Sequence, residues 1–209
     1  MVRLYVSSIG NVVPLMKQTY GYCGPTSVRI DALRYGIVIP EKEIARRSLE
    51  PSKEYKDWEA VLREDGVEWD GLVRAARSIG LQAEKDDNCT IDDLVTELKK
   101  GRTPLVDWMV PAREERKNGK SHIVWVGEGH YSVVADVTDK YIMLADPYIG
   151  RIRKMEHVDF LRWWFDFDNI PPKRKEDFYL HRMIRIWKRS TEPLSRKQLL
   201  ALERRQKNA

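Results

Sequence analysis

The sequence predicts an α+β fold in which a helical N-terminal half packs on a C-terminal antiparallel β-sheet. Three observations carry that expectation. Apolar residues recur at helical spacing through the first hundred residues, short runs rich in Val, Ile, Trp and Tyr follow between residues 104 and 145, and segments rich in glycine or charge read as turns between those runs.

The helices come first. Residues 23–35 open with Cys23-Gly24-Pro25, where a Gly-Pro pair suits a first helical turn, and continue with apolar residues at helical spacing up to Gly36. Residues 40–47 read as a short helix. Residues 69–79 form a clearer one, with Leu72, Val73, Ala76 and Ile79 on one side and Gly80 as its stop. Residues 90–101 combine a Thr90 N-cap, an acidic first turn, a basic last turn and a terminal Gly101.

Strands are expected over 104–110, 122–126, 131–137 and 141–145, with a solvated turn over 114–120. Residues 157–167, with Phe160, Leu161, Trp163, Trp164, Phe165 and Phe167, read as a packing helix. The alternation over 178–187 predicts a last strand, and Pro193-Leu194-Ser195 precedes a short basic helix over 196–205.

At 209 residues, 42% hydrophobic and 33% charged, the chain can bury one core, and the expected division is one domain over 1–169 with a basic C-terminal extension over 170–209. The formal charge of +5 is uneven: twelve Lys and Arg face four Asp and Glu in that extension, against 25 and 28 in the rest. The body is therefore not an obvious polyanion binder. No stretch approaches the roughly 20 apolar residues of a membrane span, and the N-terminus lacks the apolar core and cleavage site of a signal peptide, so a cytoplasmic protein is expected. Two cysteines, Cys23 and Cys89, are too few for a disulfide framework and lack zinc-site spacing.

Chemistry concentrates in three segments. In Gln18-Thr19-Tyr20-Gly21-Tyr22-Cys23-Gly24-Pro25, a thiol at a helix start meets unpaired backbone N–H groups and the positive end of the dipole, which favour its thiolate form. The same N–H groups can hold an oxyanion, with the Gln18 amide as a second donor if the chain folds it back; Gly24 suits close substrate approach. In Gly127-Glu128-Gly129-His130-Tyr131, a histidine after glycines heads an apolar strand, the setting of a general base. In Ala145-Asp146-Pro147, an Asp ends the next strand, and a hairpin turn at 138–140 brings it beside the His130 strand, where it can fix the imidazole's tautomer. Taken singly, a structural cysteine, a structural histidine and an Asp-Pro turn are the plainer alternatives. His122, Asp107 and Asp136 compete for base and partner but lack His130's glycine-flanked setting.

On these residues the sequence resembles the papain-like peptidases that trim double-glycine leader peptides from bacteriocin precursors. The likeness runs from about residue 17 to 167 and includes the 18–23 segment, the 100–106 entry to the sheet, Gly129-His130-Tyr131 and Asp146-Pro147. It implies a papain-like cysteine proteinase fold, no metal or organic cofactor, and a Cys23–His130–Asp146 triad with Gln18 as oxyanion donor. It also implies a peptide or protein substrate. Dedicated leader peptidases carry exporter domains; this chain shows no membrane span and no phosphate-binding loop, so a stand-alone relative is expected. The charged stretch 47–68 and the basic extension have no evident counterpart and read as solvated surface. Acyl transfer by the same triad, or a non-catalytic peptide-binding module, are the alternatives. Phe178, Tyr179 and Trp187 among the extension's cations leave nucleic acid as a subordinate third partner, since charge alone gives only unspecific attraction.

Overall fold

Alternating side chains in the second half of the chain sort to two faces of one sheet, and helices from both halves cover those faces. The computed structural model describes residues 3–50, 55–64, 66–110, 113–117, 120–124, 129–167 and 178–207. The chain opens with a hairpin of β1 (Arg3–Val6) and β2 (Val12–Leu15). Four helices follow: α1 (Cys23–Arg34), α2 (Glu41–Ser48), α3 (Trp58–Glu64) and α4 (Trp69–Ser78). Then come β3 (Gln82–Asp86), α5 (Ile91–Lys99) and β4 (Leu105–Met109). A separate hairpin pairs β5 (Arg113–Lys117) with β6 (Lys120–Val124). The chain continues through β7 (Gly129–Val137), β8 (Tyr141–Asp146), β9 (Arg151–Glu156), α6 (His157–Trp163) and β10 (Phe165–Phe167). It closes with β11 (Phe178–Leu180), β12 (Met183–Trp187) and α7 (Arg196–Lys207).

The main sheet has six strands in the order β3-β12-β4-β7-β8-β9, every neighbouring pair antiparallel. On one face, Leu105, Ile184 and Ile186 pack with Val28 and Ala32 of α1 and Leu72, Val73 and Ala76 of α4. On the other, Val106, Trp108, Val134 and Leu144 pack with Leu94 and Leu98 of α5 and with Phe160 of α6 and Trp164 after it. Each buried Val, Leu, Ile or Phe among them contributes about 1.5–3 kcal/mol. A one-residue slip of β4 would exchange its two buried faces, so the register that carries the site is strongly held. Buried Arg34 fastens the end of α1 to the entry of β4. It donates to the Gly101 carbonyl at 2.8 Å and to the Val12 carbonyl at 3.1 Å, and it pairs with Asp31 at 3.3 Å.

The α+β plan with a large antiparallel sheet is as the sequence predicts, with local departures. The expected turn over 114–120 is mostly the β5/β6 hairpin, a charged two-stranded ribbon built where polarity argued for loop. The expected helix over 157–167 stops at Trp163, because residues 165–167 pair with β11 instead. The single strand expected over 178–187 is two, divided at His181, whose φ of +49° no strand accommodates. β12 lies between β3 and β4, so the basic segment after residue 177 supplies an interior strand rather than an appendage. Nor is 47–68 all solvated surface: α3 buries Leu62 against Tyr22 and Ala45.

Candidate active site

Cys23 is the first residue of α1, and the Tyr22 before it is anchored on two sides. Its ring is buried with Ala45 and Leu62, and its carbonyl accepts from Thr26 N at 2.9 Å. Glu41 then ties the preceding loop to the first turn, accepting from Thr26 Oγ1 at 2.7 Å and from Thr19 N at 3.3 Å. Gly24 is required by packing on the inner side: a Cβ there would lie 2.9 Å from Leu72 Cδ1 and 3.1 Å from Tyr131 Cδ2. The crowding expected from substrate comes from the core. Cys23 itself is partly exposed, unlike Cys89, which is buried and whose thiol burial pushes up to about 11.

His130 is the second residue of β7, and Asp146 ends β8. Val133 pairs with Ala145, so Asp146 stands one step further on, diagonal to His130 across the hairpin. His130 Nε2 lies 2.8 Å from Asp146 Oδ1. Asp146 is 1% exposed, yet its carboxyl is held below the usual range. Burial opposes ionisation, but the hydrogen bond and charge of His130 and those of Arg153 outweigh it. Arg153 Nε reaches Asp146 Oδ2 at 2.6 Å, and Tyr148 N donates to Oδ1 at 2.8 Å. An ionised Asp146 only accepts, so Nε2 is the donor and carries hydrogen, which leaves Nδ1 for the cysteine.

The imidazole's own titration follows from the same contacts. Burial lowers its pKa, but hydrogen bonds to Asp146 and Cys23 and the charges of both prevail and raise it to about 9. His130 and Asp146 are thus joined by a hydrogen bond, and Cys23 lies near enough for its charge to act on the imidazole. Trp108 meets the His130 ring edge-on at 5.5 Å, and the exposed Tyr148 ring lies at 6.3 Å from it, so aromatic edges limit its rotation.

Gln18 reaches this region through its backbone: Gln18 N donates to the Pro147 carbonyl at 2.8 Å, directly after Asp146. Gly150, at φ +63°, packs on Lys17, with its missing Cβ position 2.9 Å from Lys17 Cβ. The Gln18 amide makes no hydrogen bond to the other three, and its Oε1 is buried without a donor. The structure therefore links His130 and Asp146 by their side chains and brings the Gln18 main chain to the residue after Asp146.

The competing residues fall elsewhere. His122 is in the β5/β6 hairpin, outside the main sheet, its Cα partnered with Glu115. Asp136 holds the N-terminal hairpin, accepting from Ser8 N at 2.7 Å and Ser8 Oγ at 2.8 Å. Asp107 is different. It lies on β4 opposite Tyr131 and is 2% exposed; burial above all, and then the charges of Asp166 and Cys23, raise its carboxyl well above the ordinary value. Sequence reasoning missed Asp166, Arg153, Tyr148 and Trp108. For Arg153 a signal existed, since period-two spacing from Asp146's strand partner Arg151 puts it on the same face.

A cysteine opening a helix against an antiparallel sheet, with a buried His–Asp pair on the adjoining hairpin, defines the papain-like α+β class. Solved peptidase domains share this fold. A protein of Bacillus anthracis described as a C39-like peptidase is 15% identical with a TM-score of 0.57, the match covering 86% of this chain and 96% of that one. The peptidase domain of Streptococcus ComA, a bi-functional ABC transporter involved in quorum sensing, is 14% identical with a TM-score of 0.52, covering 84% and 98%. A double-glycine-motif protease from an AMS/PCAT transporter, solved with its leader peptide, is 15% identical with a TM-score of 0.52, covering 90% and 93%. The likeness to double-glycine peptidases that the sequence suggests thus holds at the level of the fold.

Two archaeal proteins of unestablished function are similar in sequence. The one from Methanothermobacter marburgensis is 29% identical over 148 residues, 70% of this chain and 80% of that protein. The one from Methanothermobacter thermautotrophicus is 28% identical over 149 residues, 70% and 79%. No family model matches the chain. Among the described residues, no helix is long and apolar enough to cross a membrane.

Proposed function

We propose that this chain is a cysteine peptidase or amide hydrolase in which Cys23 is the nucleophile, His130 the acid and base, Asp146 the orienting carboxylate and Gln18 an oxyanion donor. The observation that carries the reading is the buried, Arg153-braced His130–Asp146 pair, with Cys23 at the start of α1 near enough for its charge to act on the imidazole. The Cys23 thiolate attacks the substrate carbonyl, forming a C–S bond and an oxyanion stabilised by helix N–H groups and the Gln18 amide. Protonated His130 gives its proton to the leaving amine as the C–N bond breaks. Water then attacks the thioester with His130 accepting its proton, the C–S bond breaks, and the acid departs as the thiolate–imidazolium pair is restored. The substrate class is a peptide or protein, supported by the fold shared with peptidase domains and by the neighbour solved with a leader peptide.

The reading is tested by incubating peptide libraries with wild type and Cys23→Ala in parallel and resolving products by mass spectrometry. Cleavage products that depend on Cys23 are expected. Peptides retained without conversion by both proteins would instead identify a binding module, and ligation products would identify acyl transfer to an amine.

A further inference from the structure

The hydrolytic scheme gives no role to a cavity of about 640 Å³ where the edge strand β9 meets α6. Its volume is in the range of small-molecule sites. Two of its lining residues touch the His130–Asp146 pair. Arg153 donates from Nε to Asp146 Oδ2 at 2.6 Å, and buried Trp108 meets the His130 ring edge-on at 5.5 Å. One side chain separates the cavity from the base, and one from its orienting carboxylate.

The lining has free polar capacity of one sign only. Its acids are taken: Glu156 pairs with Lys140 at 3.0 Å, and Asp159 with Arg162 at 3.9 Å. Its cations are not. Arg153 commits Nε alone; Nη1 and Nη2 meet no acceptor among the described residues, and the side chain is about one-third exposed. Lys154 lies over the Tyr141 ring at 3.5 Å and meets no carboxylate among the described residues. The guanidinium is fixed from two sides, by Asp146 and by the Trp108 ring 5.3 Å from Cζ, so its free end is a preset two-pronged donor. Tyr141 and Trp163, both part-exposed, give the cavity flat aromatic wall.

We infer that this cavity binds a small aromatic carboxylate, its acid group held by the free end of Arg153 beside Lys154 and its ring against Tyr141 and Trp163, and that the bound acid acts on the His130–Asp146 pair through Arg153. A carboxylate accepts two parallel N–H bonds from a guanidinium, whereas an amide offers one uncharged oxygen and an ammonium group is repelled. The acid and Asp146 then share one guanidinium, so each weakens the hold on the other, and linkage makes that coupling reciprocal. The site itself needs no reaction at Cys23; its effect on the pair rests on Asp146 as the orienting residue of the proposed hydrolase.

The test titrates the full-length protein with indoleacetate, indoleacetamide and tryptamine, which share a ring and are anionic, neutral and cationic. Calorimetry reads affinity, and NMR follows the imidazole resonances of His130 in the same titration. Wild type should bind the acid at one site, about tenfold or more tighter than the amide, with the amine weakest. The His130 resonances should move in proportion to occupancy. Arg153→Met should remove the preference for the acid, and Lys154→Gln, a change at an exposed position, should reduce it several-fold. Asp146→Asn, which leaves Arg153 without its anionic partner, should bind the acid several-fold more tightly. Cys23→Ala should bind as wild type does, so a chain that cleaves no peptide leaves the site standing. Absence of saturable acid binding, equal affinity for acid and amide, or a preference unchanged in Arg153→Met or in Lys154→Gln overturns the site. Acid binding that leaves His130 unmoved, or that is indifferent to Asp146→Asn, overturns its action on the pair.

Discussion

Replacing Asp146 by Asn tests the electrostatics of the site most directly. The substitution keeps the side chain's shape but removes the negative charge from His130 Nε2, 2.8 Å away. In the wild type the imidazole is raised from 6.5 to about 9 although burial works against it. At 1.36 kcal/mol per unit this rise amounts to roughly 3 kcal/mol favouring the imidazolium in the folded protein, and Asp146 and Cys23 supply it together. With the carboxylate gone, burial regains ground and the His130 pKa should fall by at least about one unit. A raised folded-state pKa contributes stability that is fully present below 6.5 and is lost as pH rises through about 9. The pH-dependent part of the destabilisation in Asp146→Asn should therefore be greatest below 6.5 and shrink toward 9. Histidine-selective NMR titration of wild type and variant reads the shift, and denaturant unfolding at several pH values reads its stability counterpart. Peptide turnover should drop by about a hundredfold or more, since the imidazole loses its fixed tautomer. A wild-type His130 titrating near 6.5, or one whose titration is indifferent to Asp146→Asn, would refute the reasoning.

Other perturbations separate positioning from structure. Arg153→Met removes the 2.6 Å contact to Asp146 Oδ2 at a position about one-third exposed; the Asp146 carboxyl should titrate higher, measurable by NMR, and kcat should fall while the fold is kept. Wild-type stability credited to Asp146, whose carboxyl is lowered, should be present above its ordinary pKa and lost as pH falls through the lowered value, visible as an acid limb that Arg153→Met moves upward. Thr90→Ala deletes the capping box with Asp93 at the start of α5 and should cost about 1 kcal/mol by urea unfolding without changing Cys23 reactivity. Gly71→Ala sets a Cβ against the Ser48 carbonyl between α2 and α4 and should cost about 1–3 kcal/mol, read as a lowered Tm.

What could be read from the sequence, and what could not, divides along chain separation. Helix α5 was legible because Thr90, Asp93 and Gly101 are local signals for a local structure, and the His130–Asp146 contact was legible because one hairpin joins them. By contrast, β3 was passed over because Gln82-Ala83-Glu84-Lys85-Asp86 is mostly polar and becomes a strand only by pairing with β12, about a hundred residues away. The same distance hid the setting of Asp107. In an apolar run it reads as a misplaced charge until β10 brings the charge of Asp166 to bear on it, and nothing local marks Asp166, which sits in what reads as an aromatic helix. Residue types that carry chemistry are visible in a sequence one at a time, whereas the tertiary pairings around them are not. A buried carboxyl such as Asp107, 2% exposed in an otherwise apolar run, violates local hydrophobic logic, and only the tertiary fold can show what it meets.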